Sequence, residues 1–509
     1  MSRQALFVVG LAVVLRVGLF PFAENKHGDA PMRALIAERM VLDPASAAVP
    51  RTYCQFGPLH TTLMRPFIAL DRFAPRSSRY LSLLAGIAVF FPFLAFARRL
   101  IGSFGSSGGA DAAGREPTAT DRRAKLAAFA LAVSPLHLQA STTASSEALY
   151  LLLWVLALER LLAGIATGRL RTFVLAGFCA SLAAVTRYDA WIALPLVVGA
   201  VWLLTRRRRG GSGQGAPVGG LAIFAATAAS FPAAWLLWGA RAGGDPLFFA
   251  HYISNDHAGL AATASAHYGA LLGRARQVGV WSLAFVAAMT LPVLLLATRA
   301  LVRRWRDLPS EIWIVVVAAL GPPALYLGRG LVFQSFEPLA RFALVPGALL
   351  LPLAAAAIPL PRARAFRVAT FASGALFSVA VWLVATVGRE RIWAGAESMG
   401  ALTRLDGEDR ALATHLRSVR PPGAPVMIEP YSFAEIGIAH AAGIPWTESV
   451  TLIVTREPRA TMRESMLTTG AAYIVGYDRP GGWPERLPDW PRGGERRFGH
   501  WIVVDRTGL

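Results

Sequence analysis

Long apolar runs recur along this chain from Leu6 to Val387, and they constrain its fold more than any other feature. Each run is about 17–25 residues long, which is the length that an α-helix needs to cross a bilayer. The composition agrees, since 54% of the 509 residues are hydrophobic and only 16% are charged. Soluble domains carry about 25% charged residues. We therefore expect a polytopic α-helical membrane protein.

The apolar runs predict about eleven transmembrane helices. They are 4–22, 79–98, 124–140, 145–163, 171–187, 189–204, 217–240, 277–301, 310–328, 341–359 and 367–387. The stretch Pro58 to Leu70 is also apolar, but it is short and Arg65 and Pro66 interrupt it. We interpret this stretch as a helix that lies in the membrane interface.

Positive charges lie beside the ends of the apolar runs. The net charge of +20 would suit a nucleic-acid partner, but the arginines cluster in short connections, as in Arg206 to Arg209. This placement follows the positive-inside rule, so it indicates topology and argues against nucleic acid. The rule puts the connections 98–125 and 205–216 in the cytoplasm. It puts the first loop 23–78, the loop 241–276 and the carboxy-terminal tail outside.

The carboxy-terminal residues have the composition of a soluble domain. We divide the chain into a transmembrane domain, 1–388, and an extracytoplasmic α/β domain, 389–509. Helices are predicted over 406–419 and 432–442, and strands over 425–428, 451–455, 471–476 and 501–505. No glycine-rich or nucleophile motif occurs in this domain, which favours a lid or an acceptor-contacting module. The Gly- and Ser-rich stretch 100–123 is predicted to be a linker.

Two acidic residues at predicted outer span ends are candidates for catalysis. Asp29 follows Gly28 in the first outer loop, where its carboxylate could deprotonate a hydroxyl group or cap the helix that begins near Pro31. Glu147 opens the fourth predicted span. It could interact with the positive end of that helix, or act as a second acid that orients an acceptor or a metal.

Other ionisable residues on this face could bind substrate. Arg187 and Arg341 suit a phosphate, which a guanidinium binds bidentately, although interface anchoring or pairing of Arg187 with Asp189 is an alternative. The loop 241–276 carries a set of side chains that could hold a divalent metal, although their spacing fits no fixed motif and exposed histidines are the alternative. These are His251, Asp256, His257 and His267.

The order of these signals resembles that of the integral-membrane C-type glycosyltransferases, and among them the group of protein O-mannosyltransferases and aminoarabinose transferases. Gly57 stands where the family commonly has a proline, and Ala30-Pro31 follows Asp29 where the family commonly has Glu and an aromatic residue. The matching stretches are His27-Gly28-Asp29-Ala30, Gly57-Pro58-Leu59-His60, Ser134-Pro135-Leu136, Ser146-Glu147-Ala148-Leu149, Thr186-Arg187-Tyr188-Asp189 and Glu337-Pro338-Leu339-Ala340-Arg341-Phe342.

This resemblance implies an inverting, mannosyltransferase-like enzyme of a bacterial inner membrane. The donor would be a sugar on a polyprenyl phosphate, and the acceptor a hydroxyl group of a protein, lipid or glycan. Asp29 would be the general base, Glu147 a second catalytic acid, and Arg187 or Arg341 would bind the donor phosphate. His60, Asp189 and His257 would contact substrate, and the loop 241–276 would cover the active site with a divalent metal as a possible cofactor.

Two other functions remain open on the sequence. A transporter or flippase of lipid-linked glycans would carry ionisable residues near the middle of its spans, or paired broken helices. A non-catalytic envelope assembly protein would keep its function when Asp29 is replaced and lose it when 389–509 is removed.

Overall fold

The computed structural model describes residues 2–26, 29–53, 56–106, 117–209, 218–387, 399–429, 434–445, 470–478, 482–486, 490 and 494–505. Up to Val387 the described chain is mainly α-helical. The helices are α1 (Arg3–Leu19), α2 (Asp29–Leu42), α3 (Pro58–Leu70), α4 (Tyr80–Ala88), α5 (Phe90–Ser106), α6 (Pro117–Ala132), α7 (Pro135–Thr142), α8 (Glu147–Thr167), α9 (Leu170–Ala184), α10 (Asp189–Arg209), α11 (Val218–Gly243), α12 (Phe248–Met289), α13 (Leu291–Arg304), α14 (Ser310–Phe333), α15 (Leu344–Ala356) and α16 (Ala363–Val387).

The described helices include six that are long and apolar enough to cross a bilayer, and a seventh if α12 and α13 form one bent span. Three shorter apolar helices, Leu170–Ala184, Asp189–Leu204 and Ala340–Ala356, coincide with further predicted spans. Helix therefore covers all the predicted runs, and the apolar helices indicate a multi-pass membrane protein. The count of eleven spans stays a prediction.

Two of the predicted runs are broken helices. The run 124–140 divides into α6 and α7 just before Pro135, whose ring disfavours helical geometry in the preceding residue. The run 277–301 bends by 103° between α12 and α13, where Thr290 has a positive φ of 67°. The two breaks meet, because Ser134 Oγ donates a hydrogen bond of 2.6 Å to the carbonyl oxygen of Ala288.

Arg16 donates a hydrogen bond to a backbone carbonyl group that the first break leaves without a helical partner. Its guanidinium is fully buried and donates to the carbonyl oxygens of Ala12 at 3.0 Å and Ala132 at 3.3 Å. It also lies 2.6 Å from Nδ1 of His137 and over the ring of Phe90. Free carbonyl groups inside a bilayer need such partners, since no water reaches them.

The carboxy-terminal domain is a four-stranded sheet covered on both faces. The elements are α17 (Gly407–Val419), β1 (Val426–Ile428), α18 (Ala434–Ala442), β2 (Tyr473–Tyr477), α19 (Trp483–Arg486), β3 (Glu495–Phe498) and β4 (Trp501–Asp505). The strands have the order β1-β2-β4-β3, with β1 parallel to β2 and the other neighbours antiparallel. One face of the sheet packs under two helices, and the other packs against Trp483 and Trp490.

Most of the elements predicted for this domain are confirmed within a few residues. Strand β3 was not predicted, and the strand predicted over 451–455 lies outside the described residues. The linker prediction for 100–123 was wrong at both ends, since α5 runs to Ser106 and α6 starts at Pro117.

The carboxy-terminal domain docks on the segment between α1 and α2 through ion pairs. Glu24 accepts hydrogen bonds from Arg410, at 2.8 Å, and from the backbone N–H of Leu405, at 2.6 Å. Lys26 is 1% exposed and lies 2.5 Å from Asp406. The charge of a buried lysine needs such a partner, so the domain stabilises the segment that leads into α2.

A second contact joins the domain to α2 itself. His440 of α18 lies 3.2 Å from the carboxylate of Glu38, and both side chains are mostly buried. Burial lowers the pKa of His440, but the Glu38 carboxylate outweighs it, so the pKa is raised above its ordinary value. The domain therefore holds α2 on both sides of its first residue, Asp29.

Candidate active site

Asp29 is the first residue of α2 and lies between two arginines. Its carboxylate is 2.9 Å from Arg341 Nη2 and 3.9 Å from Arg33 Nη2, one helical turn along. Burial alone would raise the pKa of Asp29, but the Arg341, Arg33 and Arg187 guanidiniums lower it below its ordinary value. The group is therefore a carboxylate at neutral pH. The predicted turn at Gly28 lies outside the described residues.

Arg187 lies between two carboxylates in the turn that joins α9 to α10. It contacts Glu147 at 2.5 Å and Asp189 at 2.6 Å. Arg341 lies 3.7 Å from Glu147, so this cluster continues into the pair that Arg341 makes with Asp29. Guanidiniums and carboxylates alternate through one buried network.

The three carboxylates are the first residues of three helices, because Asp29 opens α2, Glu147 opens α8 and Asp189 opens α10. A helix N-terminus is the positive end of the helix dipole and favours a carboxylate. The capping interpretation and the functional interpretation of these residues are thus compatible. The side chain of Ser146 accepts a hydrogen bond of 3.3 Å from Arg187.

A cavity of about 230 Å³ opens onto this network. The first turns of α12 form one wall of the cavity. The predicted loop 241–276 is therefore not irregular but largely helical, since α12 begins at Phe248. Stacked aromatic rings line the sides: Tyr188 on Phe249 at 4.1 Å and Tyr326 on Phe336 at 4.6 Å between centroids. The cavity thus combines a charged floor with flat apolar walls, as small-molecule sites commonly do.

The cavity also contains hydrogen-bond donors that no described residue satisfies. Nε and Nη1 of Arg33 and Nε of Arg341 are buried and have no hydrogen-bond partner among the residues that the structure describes. Arg329 lines the same cavity, with its guanidinium 5.9 Å from the centroid of the Phe336 ring. Leaving a buried charged donor unpaired costs about 1–3 kcal/mol or more. This arrangement suits an anionic ligand such as a phosphate, which offers several acceptor oxygens.

Comparison with solved structures shows the fold. ArnT from Cupriavidus metallidurans, bound to undecaprenyl phosphate, is 14% identical, and it superposes with a TM-score of 0.66 over 99% of this chain and 98% of that chain. The chain has the C-type glycosyltransferase fold. The oligosaccharyltransferase of Archaeoglobus fulgidus, solved with Zn and sulfate, is 14% identical, with a TM-score of 0.53 over 93% of this chain and 67% of that chain.

The sequence comparisons are narrower. Residues 116–238 match the dolichyl-phosphate-mannose-protein mannosyltransferase family. This region contains three residues of the network in the C-type fold, namely Glu147, Arg187 and Asp189. No curated protein sequence matches the chain.

His257 and His60 were both predicted to contact substrate, but of the two only His257 is among the described residues that line the cavity. His257 lines the cavity and stacks on Phe336 at 4.2 Å between centroids. Burial and the charge of Arg341 lower its pKa to about 4, so the ring is neutral at neutral pH. His60 is fully buried, is not among the described residues that line the cavity, and lies 3.2 Å from Ser82 Oγ. Its position suits support of the helices more than contact with substrate.

The described part of this C-type fold offers poor ligands for the divalent metal suggested by the sequence. No group of three His, Cys, Asp or Glu side chains with metal-binding geometry occurs among the residues that the structure describes. His251 pairs instead with Asp245 at 2.9 Å and is exposed, and the side chain of His267 lies outside the described part. The acidic residues of the network form ion pairs with arginines. The proposed reaction therefore contains no step at a metal.

Sequence reasoning missed three residues of the site. Arg33 faces Asp29 from four residues along the same helix, a spacing that could have revealed it. Arg329 and Tyr326 lie near the end of α14, and Tyr326 donates a hydrogen bond of 2.6 Å to Asp189. No pattern in the sequence distinguishes Arg329 and Tyr326 from residues that lie at the membrane interface.

Proposed function

We propose that this protein is an inverting glycosyltransferase that moves a sugar from a polyprenyl-phosphate donor to an acceptor hydroxyl group at the outer face of the membrane. The proposal is carried by one observation: a carboxylate, Asp29, meets buried arginine donors in one aromatic-walled cavity, and no described residue accepts a hydrogen bond from these donors. The carboxylate suits a base, the arginines suit a phosphate leaving group, and the aromatic walls suit a sugar ring.

Two of the structural neighbours support a lipid-phosphate donor. The C. metallidurans ArnT structure contains undecaprenyl phosphate, and an A. fulgidus AglB structure with a TM-score of 0.52 contains dolichol phosphate and an inhibitory peptide. The acceptor would be a hydroxyl group of a protein, lipid or cell-envelope glycan.

In the proposed reaction the acceptor oxygen attacks the anomeric carbon from the face opposite the phosphate. The new C–O bond forms as the bond from the anomeric carbon to the phosphate oxygen breaks, and that oxygen keeps the electron pair. The acceptor proton passes to Asp29. Arg33, Arg341 and Arg187 stabilise the charge that develops on the leaving phosphate, and Glu147 fixes the orientation of Arg187.

The low pKa of Asp29 is compatible with a role as base. Arg341, at 2.9 Å, is a major cause of that low pKa. A donor phosphate is a competing acceptor for the same guanidinium, so its binding weakens the hold of Arg341 on the carboxylate and makes Asp29 more basic. The pair would thus couple donor binding to activation of the base.

A transfer assay with Asp29→Asn tests this proposal. Proteoliposomes with a panel of polyprenyl-phosphate sugars should show transfer by the wild type and a loss of about 10²- to 10⁴-fold in the variant, the usual contribution of a general base. Asp43→Asn, which alters an exposed acid just beyond the same helix, serves as the matched control. Full transfer by Asp29→Asn would remove the base assignment. Absence of transfer by the wild type with every donor of the panel would favour the non-catalytic assembly protein.

The outer location of the site has its own test. A reporter fused after Arg209 should lie in the cytoplasm and one fused after Leu509 outside, in a bacterial inner membrane. Both reporters on one side would contradict the predicted span count.

A flippase of lipid-linked glycans is the second candidate, and the two broken helices favour it, because transporters commonly break helices at their binding sites. Here, however, the breaks pack on each other through Ser134 and Ala288. A flippase would move a fluorescent lipid-linked sugar across liposomes without transferring it. The glycosyltransferase would consume the donor and release the lipid phosphate.

A further inference from the structure

A second cavity, of about 550 Å³, lies at the other end of the helical bundle from the candidate active site. Helix α1 starts at this cavity and ends near the segment that carries Asp29. Its 17 residues therefore separate the two sites by about 25 Å, at about 1.5 Å per residue. We call this cavity the basic groove; its main lining residues are Gln4, Phe7, Arg122, Lys125, Phe129 and Arg367.

The groove changes from polar to apolar along the two walls that α1 and α6 form. On α6 the polar residues Arg122 and Lys125 come first. Phe129 lies on the same helical face, about two turns after Arg122 and about one turn after Lys125. On α1 the polar Gln4 is followed by Phe7. Both helices start at this end, so these two walls become apolar toward the membrane interior. On the third wall the apolar Leu360 and Ala363 precede Arg367. An amphiphile with a polar head and an alkyl tail has the same gradient as the α1 and α6 walls.

The polar end of the groove carries uncompensated positive charge. Lys125 pairs with Asp121 and lies 3.2 Å from the side-chain oxygen of Gln4. Arg122 and Arg367 are exposed, and neither has an ion-pair partner among the residues that the structure describes. No acidic residue is among the described residues that line the groove. An anion at this position would therefore meet two available guanidiniums.

We propose that the basic groove binds an anionic phospholipid, with the headgroup phosphate between Arg122 and Arg367 and an acyl chain along Phe7 and Phe129. The lipid belongs to the leaflet that faces away from the active site. Phe7 is 60% exposed, and an alkyl chain gains by covering such a surface. Guanidiniums at an anionic membrane surface attract its lipids, and their planar donors match a phosphate.

Native mass spectrometry of the purified full chain tests this proposal. The probes are palmitoyl-oleoyl phosphatidylglycerol and the phosphatidylcholine with the same chains. The wild type should retain one phosphatidylglycerol with an affinity about 10-fold or more above that for phosphatidylcholine, the scale that two arginines supply at an anionic surface. Arg122→Gln with Arg367→Gln should abolish this preference. Ala363→Trp, which fills the groove and keeps its charges, should weaken binding of both lipids.

The matched control is Arg171→Gln with Arg303→Gln, which removes the same charge from exposed positions outside the groove. It should keep the lipid preference. Equal binding of the two lipids by the wild type, or an unchanged preference in the Arg122/Arg367 variant, would overturn the proposal. Displacement of the lipid by glycerol phosphate at equal concentration would show a site for free phosphate and would also overturn it. Thermal unfolding of each variant checks that the chain is folded.

Discussion

Arg33 is the residue whose surroundings say most about the ligand of this site. It is buried, its Nε and Nη1 have no acceptor within the described part of the chain, and its guanidinium lies over the ring of Phe56 at 4.3 Å. A donor phosphate would supply the missing acceptors. Charge-assisted hydrogen bonds contribute about 1.5–3 kcal/mol each, so the loss of Arg33 should be visible in donor affinity.

We expect Arg33→Gln to raise the KM for the donor by about 10- to 100-fold, because each 1.4 kcal/mol changes an affinity by about tenfold. Arg39→Gln, an exposed position on the same helix, is the control. Steady-state transfer kinetics at varied donor concentration provide the measurement. An unchanged KM would show that Arg33 only neutralises Asp29.

The pKa values of the site predict its behaviour with pH. Asp29 has a lowered pKa and stays ionised until the pH falls through that value, below the ordinary 3.8. His257, with a pKa of about 4, is neutral above it. Neither group therefore titrates between about pH 5 and about pH 8. The kcat/KM of His257→Gln should follow the pH profile of the wild type there. An acid limb near neutrality that this variant lacks would contradict the prediction.

At the scale of elements, the close packing of α3 on the turn before α10 depends on Gly57. A Cβ atom built there would lie 2.3 Å from the carbonyl oxygen of Val185 and 2.7 Å from that of Thr186. The φ of Gly57 is −67°, which suits any residue. Contact with the backbone, and not backbone conformation, therefore requires glycine at this position.

Gly57→Ala should displace the turn that carries Arg187 and lower transfer activity by about 10-fold or more, since small misplacements of catalytic groups cost that much. Gly10→Ala is the control, because a Cβ atom there meets nothing within 4 Å. Transfer kinetics and thermal unfolding of both variants are the measurements. Normal activity of Gly57→Ala would show that the turn can move without effect.

The sequence could predict the charged ends of the helices but not how the ends meet. A charge in hydrocarbon is costly, so ionisable residues at span ends are visible in one dimension, and Glu147 and Arg187 were found in this way. Their pairing depends on which helices are neighbours, and no single pattern encodes that. For the same reason the sequence did not separate the buried His60 from Arg341, whose guanidinium reaches the cavity.

The elements were predictable where one periodicity dominates. Helix α17 and strands β1, β2 and β4 lie within a few residues of their predicted positions. Strand β3 was missed because three of its four residues, Glu495 to Arg497, are charged, a common device of edge strands. The breaks near Pro135 and Thr290 were missed because a hydropathy pattern does not show a bend inside a continuous apolar run.

At the scale of the whole molecule, the carboxy-terminal domain and α2 are joined by a titratable contact. His440 and Glu38 lie 3.2 Å apart, with side chains 12% and 7% exposed. Since the folded pKa of His440 lies above its ordinary 6.5, the pair stabilises docking fully below about pH 6.5. That contribution is lost as the pH rises through the raised pKa.

His440→Gln should therefore destabilise the protein by about 1.5–3 kcal/mol near pH 6, the value of a hydrogen bond to a charged group, and by less near pH 9. Thermal unfolding in nanodiscs at both pH values gives this difference. His415→Gln is the control, because burial and Arg496 lower the pKa of His415 and its contribution has the opposite sign: it is lost as the pH falls. Equal destabilisation by His440→Gln at both pH values would show that the contact is not ionic. Because α2 begins with Asp29, the same variant should also lower transfer activity, and more so near pH 6 than near pH 9.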